Sequence, residues 1–178
     1  METLASWVWT LLGWGVYPLW LASGVLDYAC HRRDRIEASS GVIEPLLHLA
    51  QALQIGAAAL LVLLFALTPT VLVVAGVAVV LHSVTAYVDI AWASARRPIR
   101  PLEQFGHALL VGLPLVACVL LLVIGWSGTD DGDGGRGFVW RRPPFPPAVI
   151  LAIVGSGVAI ALLPALLEWM RARRHARG

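Results

Sequence analysis

The sequence predicts an all-α integral membrane protein with five transmembrane helices, the first four forming a bundle with a weak two-fold internal repeat. Three observations predict it. Of 178 residues, 58% are hydrophobic and 13% are charged, far from the balance of a soluble domain. Five apolar stretches, residues 4–28, 42–67, 70–93, 102–126 and 147–170, reach the roughly 20 residues that a helical crossing needs. None shows the strict alternation of a membrane β-strand, and lipid offers the backbone no partner outside a helix. A single membrane domain, residues 1–178, follows.

The first stretch reads as a membrane helix rather than a cleaved signal. Glu2 is the one charge before it, it exceeds the length of a signal core, and its tail holds Asp27 and His31. The second opens with Glu44 and His48, the third carries His82 and Asp89, and the fourth opens with Glu103 and His107. An outer loop, 127–146, is rich in Gly, Asp and Pro and is expected to be mobile. Its Asp-Gly-Asp-Gly run lacks the remaining ligands of a calcium loop and reads as a solvated acidic segment. The fifth stretch stands outside the repeat, where it can cover the bundle or mediate dimerisation. Pro18, Pro114 and Pro164 are kink candidates, and Gly106 is a place for close helix approach.

All 13 basic residues are arginines. Arg32, Arg33 and Arg35 follow the first stretch, Arg96, Arg97 and Arg100 the third, and Arg171, Arg173, Arg174 and Arg177 the fifth. The positive-inside rule then sets the amino terminus outside and the carboxyl terminus in the cytoplasm, with a bacterial inner membrane as the expected location. Arg136, Arg141 and Arg142 in the outer loop are the exception. Trp7, Trp9, Trp126 and Trp140 mark the outer interface, Trp92 and Trp169 the inner one. Most arginines read as topological, with Arg33, Arg96 and Arg97 able to pair with Asp34, Glu37 or a lipid phosphate. Cys30 and Cys118 lie toward opposite ends of their helices and form neither a disulfide nor a CxxC pair.

Four patterns hold most of the charge that falls within the apolar stretches or at their edges: Asp27-x3-His31, Glu44-x3-His48, His82-x6-Asp89 and Glu103-x3-His107. Spacings of four and seven put each pair on one helix face. Two copies of the order Asp, Arg-Arg, short loop, Glu-x3-His make the repeat: Asp27 to His48, then Asp89 to His107. Counted inward from the arginine loops at about 1.5 Å per residue, Asp27, His48, Asp89 and His107 share one depth. Glu44, Glu103 and His31 lie about a turn nearer the cytoplasm, and His82 about two turns deeper than Asp89.

Carboxylates and imidazoles inside a bilayer are costly and need partners. Together these eight residues are a ligand set for two metal ions, with iron favoured and zinc or manganese as alternatives. Cations would also offset carboxylates that otherwise share a low-dielectric site. Taken singly, Glu44 and Glu103 suit the first turn of a helix without any metal. Four pairs at one level outweigh that reading. Tyr28 and Tyr87 flank the acids and are candidate catalytic phenols, or else interfacial anchors. Glu37 is a possible extra ligand but reads as solvated.

In ligand type the set resembles membrane-embedded di-iron hydroxylases and desaturases. The HxxxH and HxxHH boxes of those enzymes are absent here, and the soluble di-iron pattern Glu-x-x-His is replaced by Glu-x3-His. Only the ligand chemistry is shared, so substrate knowledge does not carry over.

The expected function is that of a dinuclear metal enzyme, hydroxylating or desaturating a lipid-like substrate at the cytoplasmic leaflet. Its partners would be the bilayer, a hydrophobic small molecule and an electron donor, with no nucleic acid. A zinc-dependent membrane hydrolase uses the same cluster to activate water. A b-type haem carrier would use His48, His82 and His107 but leaves the carboxylates unexplained. A metal or proton transporter needs a through-path, and the outer half carries almost no charge.

Overall fold

A computed structural model describes residues 3–126 and 136–177. The chain runs as α1 (Leu4–Leu11), a π-helical turn (Leu12–Val16), α2 (Tyr17–Asp34), α3 (Ile36–Ser39), α4 (Ile43–Leu64), α5 (Pro69–Ser94) and α6 (Pro101–Trp126). It ends with α7 (Pro147–Gly157), a second π-helical turn (Val158–Leu162) and α8 (Leu163–His175). Each π turn lies two residues ahead of a proline, Pro18 and Pro164. A proline removes an N–H and crowds the carbonyl four residues back, and widening the helix there absorbs the conflict. Pro114 lies inside α6.

Four helices are long and apolar enough to cross a membrane: Ile43–Leu64, Pro69–Ser94, Pro101–Trp126 and the continuous run Pro147–His175. The protein is therefore an all-α membrane protein with four such helices among the described residues. The first helical run, 4–34, is not one of them by composition. Four tryptophans, three glycines and a charged tail dilute its hydropathy.

Helix ends follow local chemistry. Thr68 caps α5, its Oγ1 accepting the Val71 N–H at 3.2 Å, with Pro69 at the first helical position. Arg35 takes the left-handed conformation, φ 52°, that stops α2 and starts α3. Gly41 at φ 71° does the same service before α4.

The helices form a ring. α2 packs on α6, α6 on α5, α5 on α4, and α4 on α8, while the second π turn closes back on α2. A short connection favours antiparallel neighbours, yet α2 packs chiefly on α6 rather than on α4, and α3 and α8 cover that side of the ring. The two halves of the expected repeat thus differ, since α5 does pack against α6.

Away from the acidic layer, Ala5, Val8, Ala58, Val62, Ala75, Leu121 and Ile124 form an apolar core. Small side chains let helices approach where lipid supplies no hydrophobic drive. Gly125 is the tightest case, because a Cβ there would meet Leu72 Cδ1 at 2.7 Å.

The loop between α6 and α7 is not loose where it is described. Residues 136–146 lie as a strap across the α4–α5 turn. Ala66 N–H donates to Val139 O at 2.9 Å and Arg141 N–H to Leu64 O at 3.0 Å. Thr68 Oγ1 donates to Gly137 O at 2.7 Å, and Phe65 stacks on Trp140 at 4.6 Å. Arg141, an exception to the charge pattern, sits over Trp9 and Phe145 and donates to Val62 O at 3.2 Å. The Asp-Gly-Asp-Gly run lies outside the described residues.

Candidate metal centre

Helical spacing brings the acids and imidazoles into one layer. Asp27 and His31 come from α2, Glu44 and His48 from α4, Asp89 from α5, Glu103 and His107 from α6. All but His48 are buried, and its side chain is only 11% exposed.

Four donor atoms converge: Asp27 Oδ1, His31 Nε2, Glu103 Oε1 and His107 Nε2. His107 Nε2 lies 3.2 Å from Asp27 Oδ1 and 3.9 Å from Glu103 Oε1. His31 Nε2 lies 3.4 Å from Asp27 Oδ1 and 3.5 Å from Glu103 Oε1. Asp27 Oδ1, His31 Nε2 and His107 Nε2 are buried without a hydrogen-bond partner. Buried polar atoms rarely stay unsatisfied. Two ligands about 2.1 Å from one cation, at tetrahedral to octahedral angles, lie roughly 3.0–3.4 Å apart, close to the shorter of these separations. The four residues therefore form a group that could hold a metal ion, and His31, Glu44 and His48 form a second such group. Two carboxylates with two imidazoles suit iron, manganese or zinc.

A fifth helix contributes as well. Glu168 of α8, 3% exposed, sets its Oε2 3.6 Å from both His31 Nδ1 and His48 Nδ1. The two rings stack, centroids 4.5 Å apart. At 3.6 Å neither contact is a hydrogen bond, and His31 Nδ1 has no partner, so Glu168 acts on the two rings through its charge. Sequence reasoning missed Glu168. The signal was present, since it is the one acid in the stretch 147–170. His48 Nε2 lies 2.9 Å from Asp89 Oδ2, which also accepts from Gln51 Nε2 at 3.3 Å.

Arg97 departs from the topological reading. It is 7% exposed, and its guanidinium hydrogen-bonds both Glu44 and Glu103, with Nη1 to Glu103 Oε2 at 2.9 Å. Burial alone would lower its pKa, but the hydrogen bonds and charges of Glu103 and Glu44 push it above the usual arginine value. Arg97 thus ties α4 to α6 at the mouth of the cluster.

The remaining candidates lie apart. His82 hydrogen-bonds the Leu110 carbonyl at 3.2 Å and joins neither ligand group. It does line a cavity of about 80 Å³ beside the cluster, together with Asp27, Tyr28, Gln51 and His107. Tyr28 accepts from Arg171 Nη1 at 3.4 Å. Tyr87 is 73% exposed on the outer face of α5, away from the acids. Glu37 is half-buried on α3 and belongs to neither group. Comparison with known proteins adds no family: no protein-family model matches the chain, and neither a curated protein nor a solved structure is similar to it.

Proposed function

We propose that the protein is a membrane metalloenzyme whose dinuclear centre, iron by preference, oxidises a lipid-like substrate. The observation that carries the reading is the convergence of Asp27 Oδ1, His31 Nε2, Glu103 Oε1 and His107 Nε2, all within 4.8 Å of one another with four separations of 3.2–3.9 Å, three of the atoms being without hydrogen bonds. Charge supports more than one ion. Among the described residues five buried carboxylates (Asp27, Glu44, Asp89, Glu103 and Glu168) face one buried guanidinium, Arg97. With neutral imidazoles that leaves an excess of four negative charges, or three once Arg171, 3.8 Å from Glu168, is counted, more than one divalent cation offsets. The second ion would draw on Glu44 and His48 of the other group, because the lone pair of His31 Nε2 already serves the first ion.

Mixed carboxylate and imidazole ligation favours iron over zinc. Hydroxylation or desaturation would then consume O₂ and electrons from an external donor, and the apolar bundle would exclude water. The arginine distribution supports a first crossing by residues 4–28, an outside amino terminus, and a site open to the cytoplasmic leaflet of a bacterial inner membrane. A zinc centre would instead activate water for hydrolysis.

One observation favours a second reading. His48 lies between Asp89 and Glu168, an arrangement that also suits protonated imidazoles neutralising carboxylates, as in a proton-handling transporter. Elemental analysis of protein purified without chelators separates the two. About two iron atoms per chain, falling to about one in Asp27→Asn and His107→Ala, is the expected result. Metal-free protein that takes up no Fe(II), Mn(II) or Zn(II) would favour the second reading.

A further inference from the structure

A second, larger cavity opens on the surface of the bundle between α5 and α6. It measures about 360 Å³, and its wall is apolar except for Gln104 and His107. Along α6 it is lined at successive turns by Gln104, His107 with Ala108, and Gly112, an axial run of about 12 Å. Ile90 forms the α5 side. Ala108 and Gly112 give it depth, and a Cβ at Gly112 would meet no atom within 4 Å. His107 is the one residue that lines both this groove and the small cavity beside the cluster.

We propose that this groove seats a single linear acyl chain of a membrane lipid and delivers it to His107. Both flanking helices have membrane-crossing hydropathy, so hydrocarbon surrounds the groove from His107 to Gly112, while Ile99 and Gln104 lie at the interface beside the arginine loop. A polar occupant would leave its hydrogen bonds unmade along nearly the whole wall. The groove is a channel along the helix axis rather than a flat face, so it fits an extended chain lying parallel to its neighbours in the bilayer. Its inner end at Gln104 gives a headgroup or ester one amide to bond, and its middle meets the ring of His107. This deepens the metalloenzyme reading and rests on it for the claim that the chain is the substrate.

The test uses the full chain in phosphatidylcholine vesicles doped with phosphatidylcholine carrying a mid-chain diazirine. After irradiation, adducts are mapped by mass spectrometry. Adducts at 104–112 are expected at least fivefold above those at Val116 and Val119, which are 46% and 58% exposed on the same helix. Gly112→Trp, which fills the groove, should bring them down to that background, and the milder Ala108→Leu should halve them. Even labelling along α6, or labelling unchanged in both variants, overturns the proposal. A methyl-branched isoprenoid probe labelling 104–112 better than the acyl probe also overturns it. Metal content on the same samples keeps the two ideas apart. Groove adducts on protein unable to bind metal would sink the enzyme, whereas even labelling of metal-loaded protein would sink the acyl site alone.

Discussion

His107 Nε2 and Asp27 Oδ1 lie 3.2 Å apart across the α2–α6 contact, and neither atom has a hydrogen-bond partner. Two helices thus hold a donor pair at a separation suited to a shared cation. An imidazole N–H aimed at the carboxylate would have made a hydrogen bond instead.

Removing either atom should therefore remove metal rather than fold. Asp27→Asn and His107→Ala are each expected to weaken binding by more than tenfold, read by competition with a calibrated chelator. Helix content by circular dichroism should stay unchanged. Equal affinity in wild type and both variants would falsify the placement of the first ion.

Glu168 acts one step back. Glu168→Gln keeps the shape of the side chain but loses the negative charge behind His31 and His48. A loss of about 10–100-fold in metal affinity is expected. Glu37→Gln, outside both ligand groups, serves as the control and should leave the affinity where it was.

Arg97→Leu strands Glu44 and Glu103 in a buried site. Breaking a buried pair on one side costs about 3–5 kcal/mol, so the detergent-solubilised variant should unfold at a markedly lower temperature. Arg97→Lys should recover only part of the loss, because one ammonium cannot match the fork across two carboxylates. Saturating divalent metal should raise the unfolding midpoint of the wild type, since ligands that bind only the folded state stabilise it. An unmoved midpoint in Arg97→Leu would show that the network contributes little.

Thr68→Val tests the far end of the bundle. It removes the α5 cap and the bond to Gly137 O together. About 1 kcal/mol should be lost from the cap. The strap at 136–146 should also exchange its amide hydrogens faster, while metal content stays the same.

Much of the layer was legible because helical geometry is rigid. Spacings of four put Asp27 with His31, Glu44 with His48 and Glu103 with His107 on one helix face each, without reference to any partner helix. What the sequence withheld was lateral order. A short connection would set α2 beside α4, yet α2 packs chiefly on α6, and no local pattern encodes that choice. Glu168 was overlooked because it has no histidine four residues away, and its position before an arginine run looks like an ordinary helix end. Arg97 was hidden among arginines that topology alone explains. Only the fold shows that it turns inward while Arg100, three residues on, stays half exposed.

The ring closes through the last helix, and this sets an order for biogenesis. A nascent chain inserted only as far as α6 already presents Asp27, His31, Glu103 and His107, but nothing yet stands behind the two stacked imidazoles. The carboxylate that faces both rings is therefore the last member of the cluster to leave the ribosome, and a chain that stops before α8 lacks that contact.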